Sequence, residues 1–453
     1  MIVKTTAKLV AVLSPLLVIG YLVPHFLNSP REPPPQAPLP WIKHTDTSDS
    51  NPLAVIPPSH MLVIDDDGKP VIDTAVYRPL HSNSTATGDY FKVFLGNKQG
   101  YNPSFIPHPL KYDSWLVIAK QVQTHELGHI HEQLMCTAGF LNDVLVCNAD
   151  PTIIPIEKTV GHCEGDKASF NFGQGPRDAR VFHGPTAPYI LYGSLSGYTC
   201  LGVFVQDARM LVDEFRLEAV LVDQFKAGTE IQRPPPYAEL EKNFFLFWDS
   251  KEELYVHYDL HPKRVFAKLL PDGSVGPDLA PLAAPQDEKC LQQYLPQLPA
   301  ENAFIHQATN ALSITLCRRA DPNCKPDDSN TFVMHIFHYK TFFDWHGGYE
   351  PYVILFRQTA PFAVHSISSK PYWMSGRTRF SKDTGAVLWE GRNDLPENHS
   401  EMFYVTSISW KTHGQRYHGY IDDPIYIGFG IEDSRSGGMD VIAEELLQDL
   451  NFC

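Results

Sequence analysis

The feature that most constrains this chain is a series of short apolar segments, each closed by a turn residue before a helix of ordinary length could form. SWLVIAKQV (114–122), PYILYGSL (188–195), LGVFVQ (201–206), FFLFWD (244–249), FVMHIFHY (332–339), PYVILFR (351–357), FYVTSISW (403–410) and PIYIGFGI (424–431) are rich in β-branched and aromatic residues. Gly, Pro, Asp and Asn separate them at close intervals. Such residues fit a pleated, buried surface, and turn residues at this spacing predict an all-β sandwich, barrel or propeller. No exact repeat is present. What recurs is a strand ending in a polar cluster, a turn and another strand, the pattern expected of propeller blades with weak mutual identity. One segment breaks the pattern: GGMDVIAEELLQDL (437–450) sets Val441, Ile442, Ala443, Leu446, Leu447 and Leu450 on a helical stripe, which predicts a short C-terminal helix packed on the body.

The first residues carry Lys4 and Lys8 and no acid, and Leu9 to Val23 then runs without a charge to Pro24. A positive flank before an apolar stretch predicts a signal-anchor. The run from 9 to 27 is long enough for a thin early-secretory bilayer if Lys8 snorkels. A cleaved signal peptide is the competing reading, but the apolar core ends in bulky GYLVPHFL rather than in small residues. The proline-dense NSPREPPPQAPLP and the polar residues after it, 28–52, form an extended stem that cannot pack a core. The expected organisation is therefore a cytoplasmic end at 1–8, a transmembrane helix at 9–27, the stem, and one lumenal β-domain at 53–453, a single-pass type II protein of the Golgi or endoplasmic reticulum membrane.

Eight cysteines, none in the anchor or stem, form an even set that an oxidising lumen would pair. Cys317 and Cys324 bracket the turn-rich RRADPN and are the favoured pair, with other connectivities open. The acceptor sequences Asn83-Ser84-Thr85 and Asn398-His399-Ser400 fit lumenal exposure and glycosylation. A net charge of -15 argues against nucleic acid as a partner.

Polar clusters at strand ends are the candidate chemistry: Arg177-Asp178-Ala179-Arg180, Glu241-Lys242-Asn243, His335 with His338, Glu350, and Asp422-Asp423. Carboxylates hold sugar hydroxyls and move protons, and cations neutralise a phosphate. In a propeller, strand ends distant in sequence meet on one channel. Each cluster alone also reads as a surface ion pair or a turn cap. A rival motif is His125-Glu126-Leu127-Gly128-His129, an H-E-x-x-H that on a helix would bind zinc through His125 and His129 with Glu126 activating water. No third histidine follows at protease spacing, and the segment sits between two strand-like runs. A polar loop or a structural metal are the other readings.

Three blocks carry a resemblance. GQGPRDARVFHGPTAPYILYGSLSGYTCLGVFVQD (173–207), LEKNFFLFWDSKEELYVHYDLHPKRVF (240–266) and HIFHYKTFFDWHGGYEPYVILFRQTAPFAVHSISSKPYW (335–373), followed by the closing segments from 402 onward, resemble the five-bladed β-propeller family of mannoside phosphorylases and the related β-1,2-mannosyltransferases. The match runs in order over most of residues 100–450. It implies a five-bladed propeller in which Asp178 touches the sugar and serves proton transfer. Arg180, Lys242, Asn243 and His338 would bind substrate and phosphate. Apart from the resemblance, Asp422 and Asp423, beside the aromatic Tyr417 and Tyr420, are candidates for acceptor hydroxyls, with a turn before the closing strand as the alternative reading. Arg177 and Ala179 stand where the family has Glu and Pro.

Anchor, stem and resemblance together predict a glycosyltransferase moving a hexose, mannose favoured, from an activated donor to a glycan acceptor, with no cofactor required. A secretory glycoside hydrolase or phosphorylase of the same fold is the nearest alternative. A zinc metalloprotease, for which zinc would be the cofactor, and a non-catalytic glycan-binding propeller are the others.

Overall fold

The computed structural model describes residues 62–64, 70–125, 128–216, 224–298, 303–343, 346–379 and 399–453. The expected anchor, the stem and Asn398 lie outside them. Among the described residues no helix is long and apolar enough to cross a membrane.

Five antiparallel meanders succeed one another along the chain, spanning 101–147, 177–231, 245–268, 312–368 and 403–442. The apolar segments read from the sequence are their strands. Pro188–Leu195, Phe403–Trp410 and Pro424–Ile431 have the expected bounds, while 332–339 and 351–357 extend into the long ribbon Thr331–Phe343 with His346–Arg357. These segments are continuously apolar because their sheets are covered on both faces. Separate cores fill the gaps between successive sheets. Ile106, Leu116 and Ile118 meet Val181, Ile190 and Phe204. Phe182, Leu191 and Val203 meet Leu246, Trp248 and Val256. Phe247 and Phe266 meet Val333 and Phe356, Met334 and Leu355 meet Val405 and Ile427, and Tyr426 packs with Phe91, Phe105 and Trp115.

The first strands of the meanders close a ring through hydrogen bonds. Ser104 Oγ accepts from Val181 N at 3.3 Å, Arg180 donates to Phe244 O at 3.1 Å, and Gln307 Nε2 donates to Asn243 O at 3.1 Å. Asn310 pairs with both backbone groups of Ile408 at 2.9 and 3.1 Å, and Thr406 and Ser407 donate to Pro103 O at 2.7 and 2.9 Å. Five meanders joined in a ring at their starts in this way are a five-bladed β-propeller. The ring is sealed in the fifth sheet, where Arg435–Ile442 pairs with Phe91–Phe94 from the N-terminal side, which in turn pairs with Val144–Cys147 of the first meander.

The C-terminal helix is not formed. Gly437 to Ile442 continue the strand Arg435–Ile442, and only Ala443–Leu447 turn as a 3-10 helix before the strand Leu450–Phe452. Gly438 lies where a Cβ would come within 2.7 Å of the Phe91 and Phe105 rings, so this stretch is fitted to close sheet packing. The α-helix present, Ala284–Tyr294, lies between the third and fourth meanders. All eight cysteines pair: Cys136–Cys147, Cys163–Cys200, Cys290–Cys453 and the expected Cys317–Cys324.

Candidate functional site

The site grows from the starts of the innermost strands. Two of these strands, Tyr101–Pro107 and Arg177–His183, slip register by one residue against their neighbours, between Tyr101 and Ser104 and between Arg177 and Arg180. Such bulges turn a side chain out of the ladder. Asn102 and Asp178 sit in them with φ of 55° and 48°. Asn243 on the third meander, with φ 61°, and Asp433 on the fifth, with φ 44°, share that left-handed backbone. Asn and Asp tolerate this conformation better than most residues.

Asp178 Oδ1 accepts from Lys120 Nζ at 2.9 Å and from Asn102 Nδ2 at 3.0 Å. Burial alone would raise the Asp178 carboxyl, but the Lys120 ammonium and the bonds to Lys120 and Asn102 hold it below its ordinary value. The Lys120 side chain is 11% exposed and that of Asp178 43%, so the cation is sheathed while the carboxylate still meets solvent. Arg180, buried, donates to Asn243 Oδ1 at 2.8 Å, and the Tyr404 hydroxyl donates to the same oxygen at 3.1 Å. Burial pushes that phenol up to about 12, which keeps it a donor. Asn243 Nδ2 donates to His306 Nε2 at 2.9 Å, which leaves the His306 proton on Nδ1.

Asp178, Arg180, Lys242 and Asn243, read from the sequence, line one cavity of about 240 Å³ together with Lys120 and Arg177. Lys242 is exposed at its edge. The Arg177 guanidinium donates to Phe170 O at 3.3 Å and Gly173 O at 2.8 Å and lies over the Phe170 ring. Lys340 caps the Tyr349 ring at 5.2 Å; burial, then the Lys242 charge, lowers its ammonium to about 8. Asp433 is raised by desolvation and then by Asp178 and Glu432, against the pull of Lys120 and Lys340. The residue itself is exposed, in the turn between Pro424–Ile431 and Arg435–Ile442.

Three expectations are corrected. His338 is fully buried behind Tyr404, with ring centroids 5.2 Å apart, and its Nε2 accepts from Val405 N at 3.3 Å. Burial depresses its pKa far below the usual imidazole value, so it is a neutral core group and not a phosphate ligand. Asp422 and Asp423 lie beyond the other end of the inner strands, next to Trp410 and its partner Ile425, on the order of 20 Å away along the strand. Asp423 accepts from Arg319 at 2.9 and 2.6 Å, Gln415 at 2.7 Å and Tyr420 N at 2.8 Å, and Asp422 accepts from Arg319 N at 2.7 Å. They fasten the Cys317–Cys324 loop to the turn before Pro424, and bind no acceptor at the Asp178 cavity. His125 and His129 belong to a β-hairpin, His125 opposite Gly128 and Thr124 opposite His129, not to one helix face. Among the described residues no group of three or more His, Cys, Asp or Glu is placed to hold a metal. Glu350 and Glu241 are engaged by Arg377 and Arg233.

Lys120, Asn102, Tyr404, Lys340 and Asp433 were not singled out in the sequence. Lys120 alone left a mark there, as a lone charge inside the apolar SWLVIAKQV.

No family model matches the chain, and no curated protein matches it. Among solved structures it is similar to a β-1,2-mannobiose phosphorylase from Listeria innocua, with TM-score 0.43 and 10% identity over 80% of this chain and 92% of that one. A thermostable family-43 glycoside hydrolase matches with TM-score 0.34 and 10% identity over 79% and 91%. The catalytic domain of the Coprinopsis cinerea GH62 α-L-arabinofuranosidase matches with TM-score 0.36 and 9% identity over 78% and 96%.

Proposed function

We propose that the chain is a carbohydrate-active enzyme that makes or breaks a glycosidic bond with a phosphate-bearing partner at the Asp178 cavity. The observation that carries this reading is the imbalance of charge: of the two carboxylates lining the cavity Glu241 is engaged by Arg233, which leaves Asp178, held ionised, among Lys120, Arg177, Arg180 and Lys242, with Lys340 nearby. Asp178 neutralises one of these cations. The remainder suit the oxygens of a phosphate, as reactant or as leaving group. An ionised Asp178 accepts sugar hydroxyls and stabilises cationic character at the anomeric carbon. Asp433, whose environment pushes its proton affinity the opposite way, is the better proton donor to the departing glycosidic oxygen. Two carboxyls with diverging environments divide acid and base roles in this manner.

The test is a purified full-length chain given mannosides with inorganic phosphate, with water alone, or with a nucleotide-linked mannose and a glycan acceptor. Sugar phosphate formed only with phosphate, or transfer only from the nucleotide sugar, supports the proposal. Release of free sugar by water, indifferent to phosphate, defeats it in favour of hydrolysis.

Transfer from a nucleotide sugar is the variant favoured by one further observation. All eight cysteines are paired, and the Asn83 acceptor is exposed, as in proteins matured in an oxidising secretory compartment. With the apolar N-terminal run, this supports a type II enzyme of the Golgi or endoplasmic reticulum working on a glycan acceptor.

A further inference from the structure

Beyond the cation-rich cavity lies another hollow, of about 550 Å³, lined by residues 162, 164–167, 198–200 and 237–239. Two tyrosines stand on it. Tyr198 is 58% exposed and Tyr237 40%, and their rings stack with centroids 6.2 Å apart and planes within 20°. Exposed aromatic rings in parallel are costly to leave wet.

The hollow and the cavity are consecutive along the same backbone. Cys200 and Leu201 both donate to Glu239 O, at 3.0 and 3.2 Å, and Glu241 N donates back to Leu201 O at 2.9 Å. Thr199, Cys200 and Glu239 line the outer hollow, while Leu201, Leu240 and Glu241 line the inner cavity. The short helix Gly165–Phe172 does likewise, giving Asp166 and Lys167 to the hollow and Phe170 to the cavity. Tyr198 and Leu201 are three residues apart in the bent link between Pro188–Leu195 and Leu201–Asp207, hence at most about 10 Å from each other.

The tyrosines are also held in place. Tyr198 N and Thr199 N donate to Ser196 Oγ at 2.9 and 2.8 Å, Ser196 Oγ bonds Glu230, and Gln232 Nε2 donates to the Tyr198 hydroxyl at 3.0 Å. Cys163–Cys200 ties the helix segment to this loop. Tyr237 follows Pro234, Pro235 and Pro236, whose rings fix the approach. A rigid platform loses little freedom when a ligand docks.

We infer that Tyr198 and Tyr237 form an outer subsite that takes the next sugar rings of a glycan whose end is seated in the Asp178 cavity. Pyranose rings offer flat C–H faces to the rings of tyrosines, and the exposed carboxylates Glu164, Asp166 and Glu239 around them accept hydroxyl protons. This rests on the proposed function for the inner cavity and names the larger part of its substrate: an oligosaccharide rather than a monosaccharide derivative.

The probe is a series of manno-oligosaccharides of increasing length, titrated calorimetrically against the full chain and also assayed for turnover. Affinity is expected to rise with length, and the Tyr198→Ala/Tyr237→Ala double variant to lose that rise, roughly tenfold for the longest member. Tyr237→Phe is expected to keep it, and so is Tyr112→Ala at an exposed tyrosine elsewhere. Length-independent affinity in the unmodified chain, an unchanged length dependence in the double variant, or no binding at all would overturn the subsite. Length-dependent binding that needs the tyrosines, without turnover under phosphate or nucleotide-sugar conditions, would uphold the subsite and reject the proposed reaction.

Discussion

Asp178 does two things that pull against each other: it occupies a left-handed backbone position that favours glycine, and it carries the charge that neutralises a nearly enclosed Lys120. Strain of that kind persists where the surroundings over-determine it. Asp178→Asn keeps the backbone preference and the amide-sized contacts but removes the charge, so turnover is expected to fall by about 10²- to 10⁴-fold, read as kcat, with circular dichroism unchanged. Lys340 gives a pH signature. Its ammonium, lowered to about 8, is charged below that pH and neutral above it, so inorganic phosphate should bind less tightly as pH rises through 8. Lys340→Met should flatten that limb of the binding curve, measured by calorimetry between pH 6.5 and 9. Asp178, Arg180, Lys242 and Asn243 could be read from the sequence because each stands at the boundary between a turn and an apolar run. Asn102, Tyr404 and Asp433 could not: Asn102 matters through a bulge, Tyr404 through its bond to Asn243 on another meander, and Asp433 through a hairpin turn that the ring brings close to Lys120 and Asp178. His338 was misread for the converse reason: alternation along Thr331–Phe343 does not tell a channel-facing residue from one covered by the next sheet.

Elements were most legible where a residue pattern admits one structure and least where it admits two. An uninterrupted apolar run bounded by turns reads as a buried strand, and these segments became strands. The C-terminal stretch satisfies a 3.6-residue and a 2-residue period at once, and the open sheet edge beside Phe91–Phe94 decided for the strand. The H-E-x-x-H segment is the sharper case, because the motif carries chemistry only on a helix. Here His125 ends the strand Trp115–His125 and His129 lies near the start of its antiparallel partner Gly128–Leu141, so the two histidines stand on paired strands. Zinc content, measured by atomic absorption after dialysis, is therefore expected to be at background in the unmodified chain and unchanged in His129→Ala. Stoichiometric zinc lost in that variant would overturn the hairpin reading and return the metalloprotease.

Closure of the ring is a property of the whole molecule, and two covalent links contribute to it unequally. Cys317–Cys324 closes a separation of 7 residues within one loop, whereas Cys290–Cys453 spans 163 and returns the chain past the fifth meander onto the fourth. There Leu450–Phe452 adds a strand to Val364–Ser368, and Cys453 N donates to His365 O at 2.9 Å. Loop-closure entropy of the unfolded chain gives about 2.5 kcal/mol for the short link and about 5 kcal/mol for the long one. The long link also holds the last strand of the sequence on a sheet that the closing blade must pack against, so its loss removes pairing as well as entropy. Cys290→Ser/Cys453→Ser is accordingly expected to lower the melting temperature clearly more than Cys317→Ser/Cys324→Ser, in thermal melts at one scan rate. Equal losses would mean that the propeller is sealed by the Phe91–Phe94 pairing alone and that the C-terminal strand is an accessory to it.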